Sequence, residues 1–213
     1  DCGVHYIQFI RELSVKCRQN GIVLSVDNYV PKGYNQQYNR KEQGVMADYV
    51  IIMGYDEHNG SSLEAGSVSS YEFVKEGIEE TIKEVPAEKV ISGIPFFTRL
   101  WSETPKTQEE LNQEAGTEAA DYPMKVTSEA LGMSTARDKI SQAGAETTLD
   151  ETTGNNYATW EADGVTYEIW LEDATSIEPK LQLMKENKLA GTAAWALGQE
   201  SSDIWNLILK YVN

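Results

Sequence analysis

Residues 49–56 read Tyr-Val-Ile-Ile-Met-Gly-Tyr-Asp, an apolar run that ends in a glycine, an aromatic ring and a carboxylate. Three further apolar runs of this kind occur at residues 22–26, 90–96 and 191–196. Continuous rather than alternating hydrophobicity is typical of strands buried on both faces, as in a parallel sheet. Amphipathic helical patterns lie beside these runs, at residues 4–18, 70–85, 176–187 and 202–212. The alternation of strands and helices predicts a wound α/β fold.

Helix-start signals support two of these helices. Ser69 with Glu72 forms a capping-box pattern before residues 70–85, and Thr175 or Ser176 is a suitable cap for residues 176–187. We expect both helices to begin at these side chains.

The segment 102–170 differs from the rest of the chain in composition and in its pattern of apolar residues. Its first part, residues 102–125, is polar and acidic, which predicts a long loop with one short helix capped at Thr107. Residues 156–170 alternate aromatic and β-branched side chains around Asp163-Gly164, the strongest short-range signal for a β-hairpin. We therefore predict an α+β domain at 102–170 that is inserted into a scaffold made of residues 1–101 and 171–213.

The number of strands limits the architecture. A closed (β/α)8 barrel needs eight strands and about 250 residues, whereas this chain has 213 residues and four scaffold strands. The scaffold is therefore either an open four-stranded sheet or half of a barrel, and composition does not separate the two.

Composition excludes several classes of partner. The chain carries 18 Lys and Arg against 34 Asp and Glu, a net charge of −16, which argues against nucleic acid and anionic membranes as partners. No apolar run approaches the ~20 residues of a membrane span. The two cysteines, Cys2 and Cys17, have no metal or redox spacing, and no phosphate-binding glycine loop follows a strand. We predict neither a metal nor a cofactor.

Candidate functional residues follow the strands. In parallel α/β folds the active site lies at the carboxyl ends of the strands. Rings, carboxylates and amides occur together at these positions, in residues 27–29, 53–58, 96–101 and 195–200. Flat aromatic surfaces with polar neighbours suit sugar rings. His5 and His58 are interpreted as bystanders.

Several of these stretches resemble glycoside hydrolase family 18. Met53-Gly54-Tyr55-Asp56 resembles the Met-x-Tyr-Asp motif on the sixth barrel strand of that family. Residues 93–101 resemble the seventh-strand signature of its bacterial cell-wall and spore-cortex N-acetylglucosaminidases, with Phe97 where tyrosine is usual. Residues 170–180 and 190–195 resemble the entry to the last helix and the eighth strand. The resemblance covers essentially the whole chain and implies the C-terminal half, strands 5–8, of a TIM (β/α)8 barrel with a small α+β insertion domain.

The resemblance also implies an activity. Family members hydrolyse β-1,4-linked N-acetylglucosamine polymers, peptidoglycan or chitin, by substrate-assisted retaining hydrolysis. A glutamic acid protonates the glycosidic oxygen while the 2-acetamido carbonyl of the sugar attacks the anomeric carbon. Carried over by motif, Tyr55 donates its hydroxyl to the acetamido oxygen, Asp56 binds the distorted sugar, and Trp195 stacks beneath it. Met53 is expected in the wall of the cleft.

Three more residues are expected to contact the substrate: Arg99 and Glu172 from the insertion side, and Phe97. The location implied by the polymer is extracellular or in the cell envelope of a bacterium.

One part of the family pattern is missing from these residues. The family acid lies in an Asp-Gly-x-x-x-Asp-x-Glu string on the fourth strand, and the nearest match here, residues 163–168, belongs to the predicted hairpin. We expect that the acid and the first four strands lie upstream of residue 1 and that this chain alone is inactive. Because a half barrel leaves its inner face and edge strands uncovered, we also expect self-association of half barrels.

Two alternatives remain open at this stage. A barrel without the acid would be a non-catalytic, lectin-like glycan-binding protein, and the residues encoded before Asp1 separate this alternative from an enzyme. An open flavodoxin-like sheet predicts that Tyr55, Asp56 and Trp195 are scattered rather than gathered on one rim.

Overall fold

A computed structural model describes residues 3–212, which form two β-sheets and their surrounding helices. The helices are α1 (Gly3–Gln19), α2 (Arg40–Met46), α3 (Tyr71–Ile82), α4 (Gln108–Gln113), α5 (Met133–Ala143), α6 (Ala174–Glu186) and α7 (Ile204–Val212). The strands are β1 (Ser25–Tyr29), β2 (Tyr49–Met53), β3 (Val90–Pro95), β4 (Phe97–Pro105), β5 (Met124–Gly132), β6 (Thr148–Asp150), β7 (Asn155–Ala162), β8 (Val165–Leu171) and β9 (Gly191–Trp195). Short 3-10 helices occur at Gly33–Tyr38, Ala87–Lys89 and Glu118–Asp121.

The first sheet contains four parallel strands in the order β1-β2-β3-β9. The strands follow one another in chain order, and right-handed crossovers in such a sheet place every connecting helix on the same face. A flavodoxin-like sheet instead reverses its strand order and carries helices on both faces. The flavodoxin-like alternative is therefore wrong, and the α/β class is confirmed.

The helix-covered face of this sheet holds the main core. Val26, Val50, Ile52 and Val90 point towards the helices and are at most 6 % exposed. Their neighbours along each strand point to the opposite face, as the two-residue period of a strand requires. We call this opposite face, whose members include Tyr29, Ile51, Met53, Ala193 and Trp195, the bare face. Tyr29 is 54 % and Trp195 60 % exposed there.

The second sheet contains five antiparallel strands in the order β5-β4-β8-β7-β6. Asp163 and Gly164 join β7 to β8 with φ angles of 53° and 77°, the left-handed pair that a tight hairpin turn requires. The structure thus forms the hairpin where the sequence predicts it. Helix α5 packs on one face of this sheet and buries Leu100, Leu131 and Ile169.

The loop predicted at 102–125 is partly strand. Strand β4 continues to Pro105 and β5 starts at Met124, so the second sheet begins at Phe97, before residue 102. Helix α4 does begin after Thr107, whose side chain accepts from the Glu110 amide. Strand β5 lacks a clear apolar pattern because it is an edge strand that is exposed along most of its length. The division into a scaffold and an insertion domain stays a prediction.

Three element boundaries differ from expectation. Strand β1 starts at Ser25 rather than residue 22, and Ile22 and Val23 are exposed. Helix α3 is capped by Ser70, not Ser69, because Ser69 is turned inwards. Helix α6 starts at Ala174, two residues earlier than its pattern suggests, after an Asp173 cap that accepts from the Thr175 amide.

Candidate active site

The carboxyl ends of the four parallel strands bring the predicted residues to one edge. Met53 pairs with Tyr29 on one side and Gly93 on the other, and Pro95 pairs with Trp195. These residues share the bare face. Because neighbouring strands lie 4.7–4.9 Å apart, Trp195 lies roughly 10 Å across the sheet from the end of β2.

Gly54 fixes the exit from β2. Its N–H donates to the carbonyl of Gly93 over 3.1 Å, and a Cβ at this position would lie 2.7 Å from that same oxygen. Only glycine allows β2 and β3 to approach so closely here. The chain then continues into Tyr55 and into Asp56, which adopts a left-handed φ of 61°.

Tyr55 is held over the bare face. A Cβ on Gly93, which would point to this face, comes 3.4 Å from the Tyr55 ring. The Phe97 ring packs edge-on against Tyr55, with ring centroids 6.0 Å apart. Burial raises the pKa of the Tyr55 phenol to about 12, and the nearby Asp27 and Asp56 carboxylates add to the effect. At neutral pH the phenol is therefore protonated and is a hydrogen-bond donor.

Asp56 lies within electrostatic range of Arg99, an arginine from the second sheet. Burial raises the pKa of its carboxyl group above the ordinary value, and the positive charge of Arg99 acts in the opposite direction. Arg99 Nη1 donates to Ser128 Oγ over 3.0 Å, while the buried Nε has no hydrogen-bond partner. Arg99 thus places positive charge within electrostatic range of Asp56, but it does not line the cavity beside Asp56.

A cavity of about 300 Å³ opens beside Asp56. Its lining includes Tyr29, Tyr34, Tyr55 and Asn59. Tyr34 is 81 % exposed, so its ring is available as a flat contact surface. A larger cavity of about 470 Å³ lies between α1 and α2 and has none of the predicted residues in its lining.

Sequence reasoning missed Tyr34 and Asn59. Tyr34 lies in the connection that follows β1, and an aromatic residue in a loop at the carboxyl end of a parallel strand was the available signal.

Glu172 does not lie where the family resemblance implies. The resemblance implies that Glu172 contacts the sugar, but the structure buries the residue to 2 % exposure. Its Oε2 lies 3.0 Å from Lys180 Nζ and accepts from Ser176 Oγ over 2.8 Å, and its Oε1 accepts from Asn155 Nδ2 over 3.1 Å. Burial raises the pKa of Glu172, with Lys180 opposing the shift. The carboxylate is directed into the protein, not towards the cavity.

Residues 3–212 show neither a metal site nor a membrane-spanning helix. No group of three or more His, Cys, Asp and Glu side chains in that range is arranged to hold a metal ion. None of the helices described is both long and apolar enough to cross a membrane.

The fold and site define an α/β protein whose aromatic and carboxylate side chains meet at the carboxyl edge of a parallel sheet. The chain belongs to the glycosyl hydrolases family 18, whose sequence profile matches residues 3–200. The resemblance stated from the Met53–Asp56 motif is thereby confirmed.

Individual relatives match most of this chain, but the match covers only part of their own length. The cortical fragment-lytic enzyme of Bacillus subtilis is 27 % identical over 217 residues, which cover 98 % of this chain and 46 % of that protein. The chain spans about half the length of the curated relatives it matches.

Solved structures agree with this assignment. The spore cortex-lytic enzyme SleL of Bacillus megaterium shares the fold with a TM-score of 0.81 at 24 % identity, over 100 % of this chain and 46 % of that one. A family 18 chitinase from Cycas revoluta, solved in complex with (GlcNAc)3, is 26 % identical with a TM-score of 0.70, over 97 % of this chain and 61 % of that one.

Proposed function

We propose that this chain is the substrate-positioning part of a family 18 glycosidase that acts on β-1,4-linked N-acetylglucosamine polymers, peptidoglycan or chitin. The observation that carries the proposal is the placement of Tyr55, Asp56 and Trp195 at the carboxyl edge of the parallel sheet, with Tyr55 and Asp56 in one cavity and Trp195 two strands away. The names of the relatives support this substrate class, since one is a cortical fragment-lytic enzyme and one chitinase was solved with (GlcNAc)3.

The proposed mechanism is substrate-assisted hydrolysis with retention. The protonated Tyr55 phenol donates to the 2-acetamido oxygen and holds its carbonyl in line with the anomeric carbon, so that proximity replaces a protein nucleophile. Asp56 binds the distorted sugar, and the exposed Trp195 indole stacks beneath it. Met53 and Phe97 form the wall of the site, and Arg99 contacts the sugar from the second sheet.

We propose further that the four-stranded sheet corresponds to strands 5–8 of a (β/α)8 barrel. The support is the order β1-β2-β3-β9 with its helices on one face, which is the winding of a barrel wall. In a closed barrel the bare face would line the interior, where such side chains are packed in layers.

The chemistry also needs a proton donor. The family's Asp-Gly-x-x-x-Asp-x-Glu string does not occur in the 213 residues. We propose that the remainder of the barrel supplies this acid and that the chain alone binds the glycan without cleaving it. The proposed location, as the polymer implies, is extracellular or in the bacterial cell envelope.

Binding of an N-acetylglucosamine tetramer, measured by isothermal titration calorimetry, tests the proposal. Trp195→Ala should weaken binding about tenfold, the loss expected when one stacking surface is removed. Phe9→Ala is the matched control, because Phe9 is a 58 % exposed aromatic on α1, against 60 % for Trp195. Equal affinities for the wild type and Trp195→Ala, or no binding by the wild type, would contradict the proposal.

The missing acid string favours one alternative, a lectin-like barrel that only binds glycans. Hydrolysis of the tetramer by the protein extended through its first four strands separates the two. Cleavage supports the glycosidase, and tight binding without cleavage supports the lectin-like barrel.

A further inference from the structure

A chain of buried polar groups runs from α6 to the residues that hold Tyr55 and Asp56. The side chains of Lys180, Glu172, Ser69, Ser67 and Asn155 are each at most 2 % exposed. None of them lines the cavity beside Asp56, and the mechanism above does not use them.

The first link joins Lys180 to Ser69. Lys180 Nζ donates to the Ser69 carbonyl over 2.6 Å and to Ser69 Oγ over 2.9 Å, and its third partner is Glu172 Oε2 at 3.0 Å. All three donors of the ammonium group are therefore used. Such a pair is stable in a buried site only because every polar atom is satisfied.

The second link joins Ser69 to the turn that carries the site. Ser69 Oγ donates to the Gly54 carbonyl over 2.6 Å. Since the Gly54 N–H is bound to Gly93, both peptide groups of Gly54 are fixed, one by β3 and one by Ser69. The direction in which Tyr55 leaves the strand follows from these two bonds.

Further bonds hold the other side of Asp56. The Glu57 N–H donates to the Val68 carbonyl over 3.0 Å and the His58 N–H to the Ser67 carbonyl over 3.3 Å. Ser67 Oγ in turn donates to Asn155 Oδ1 over 3.0 Å. The segment 67–70 therefore contacts the chain before and after Asp56, and side chains of α6 and β7 anchor it from behind.

We propose that Lys180 and Ser69 are positioning residues that fix Tyr55 and Asp56 through the Gly54 carbonyl, with Glu172 as the buried counter-ion that keeps Lys180 in place. This assignment gives Glu172 a role in the site that requires no contact with the sugar. It deepens the proposed function and rests on that function for its effect on glycan binding.

Ser69→Ala is the direct test, because it removes the hydroxyl that donates to Gly54 while Lys180 keeps its bonds to the Ser69 carbonyl and to Glu172. Ser14→Ala is the matched control, since Ser14 is also buried, at 1 % exposure, and its hydroxyl donates to Arg11 on α1. We expect Ser69→Ala to shift the NMR resonances of the Tyr55 ring and the Asp56 amide. Affinity for the N-acetylglucosamine tetramer should fall about threefold to tenfold, the effect of one hydrogen bond. Ser14→Ala should change neither.

A second variant addresses the charged pair. Lys180→Met alone would leave the buried Glu172 charge without a counter-ion. That would unfold the protein for a reason unrelated to the positioning of Tyr55 and Asp56. The double variant Lys180→Met with Glu172→Gln removes both charges at nearly constant volume. It should fold and shift the same Tyr55 and Asp56 resonances, because Ser69 has lost its ammonium partner.

The outcomes separate the two proposals. Tyr55 and Asp56 resonances that stay unmoved in both variants overturn the positioning role, whether or not the wild type binds the tetramer. If the variants shift these resonances but the wild type does not bind the tetramer, the result supports the positioning role and contradicts the proposed function.

Discussion

At the scale of single residues, the site depends on groups whose ordinary behaviour is altered by where the fold places them. Burial and two neighbouring carboxylates, Asp27 and Asp56, raise the pKa of the Tyr55 phenol to about 12. Asp27 reaches this position because strand β1 runs to residue 29 and turns alternate side chains to the bare face. Any tyrosine is protonated at neutral pH; the sequence identifies Tyr55 by its motif, and the structure shows what surrounds its hydroxyl.

The raised pKa of Tyr55 predicts a specific pH dependence. The unfolded phenol ionises near pH 10 and the native phenol near 12, so burial of Tyr55 contributes stability below pH 10 that is lost as the pH rises to 12. In a spectrophotometric titration, Tyr55→Phe should remove absorbance that appears near pH 12. Its unfolding free energy should also decline less than that of the wild type between pH 10 and 12. If Tyr55→Phe instead removes absorbance that appears near pH 10, the raised pKa of Tyr55 is contradicted.

Gly54 allows a second prediction at this scale. Gly54→Ala would place a Cβ 2.7 Å from a backbone oxygen of β3, so the strand ends must separate. We expect it to lower the unfolding free energy by about 1–3 kcal/mol, the cost of overpacking, in urea denaturation. Gly191→Ala on β9 is the control, because a Cβ there meets nothing within 4 Å. Similar losses for both variants would show that close approach is not the cause.

At the scale of elements, the two sheets differ in how clearly their sequences predict them. The parallel strands are read from continuous apolar runs, and the hairpin from Asp163-Gly164. The sequence pattern predicts neither strand β5 nor helix α5, since the former is an exposed edge and the latter begins at Met133 after Gly132, which has no side chain to cap it. Local patterns are clear only where burial forces them to be.

The hairpin turn gives a prediction at this scale. Gly164 has a φ of 77°, which a residue with a Cβ adopts only with strain. Gly164→Ala should lower the unfolding free energy by about 1 kcal/mol. Gly33→Ala should be nearly neutral or slightly stabilising, since Gly33 lacks a positive φ and a Cβ there meets open space. Equal effects in thermal denaturation would refute a turn of this type.

At the scale of the whole molecule, the bare face is the main feature left without a partner. It exposes Tyr29 and Trp195 and carries Ile51 and Met53 between them. If residues 3–212 correspond to half of a barrel, this face and the edge strands β1 and β9 are the surfaces that self-association would cover.

We therefore predict self-association that strengthens with salt. The net charge of −16 opposes association at low ionic strength, and the Debye length falls from about 30 Å at 0.01 M to about 10 Å at 0.1 M. Sedimentation velocity should show a larger dimer fraction at the higher salt concentration. Ile51→Lys on the bare face should reduce that fraction, and Ile22→Lys, at an exposed site before β1, should not. A chain that stays monomeric at all salt concentrations would contradict this prediction.

The α/β class, the four parallel strands, the hairpin and the family are all readable from the amino-acid sequence, because each is encoded by residues that are adjacent or regularly spaced along the chain. Which side chains meet is settled by the folded arrangement alone. It turned Glu172 inwards to Lys180, brought Tyr34 and Asn59 beside Asp56, and placed Ser69 against Gly54 rather than at the helix cap. Ser69 also binds Lys180, 111 residues further along the chain. The energy that selects the buried contacts of Glu172, Lys180 and Ser69 comes from satisfying buried polar groups together, a condition no local pattern records.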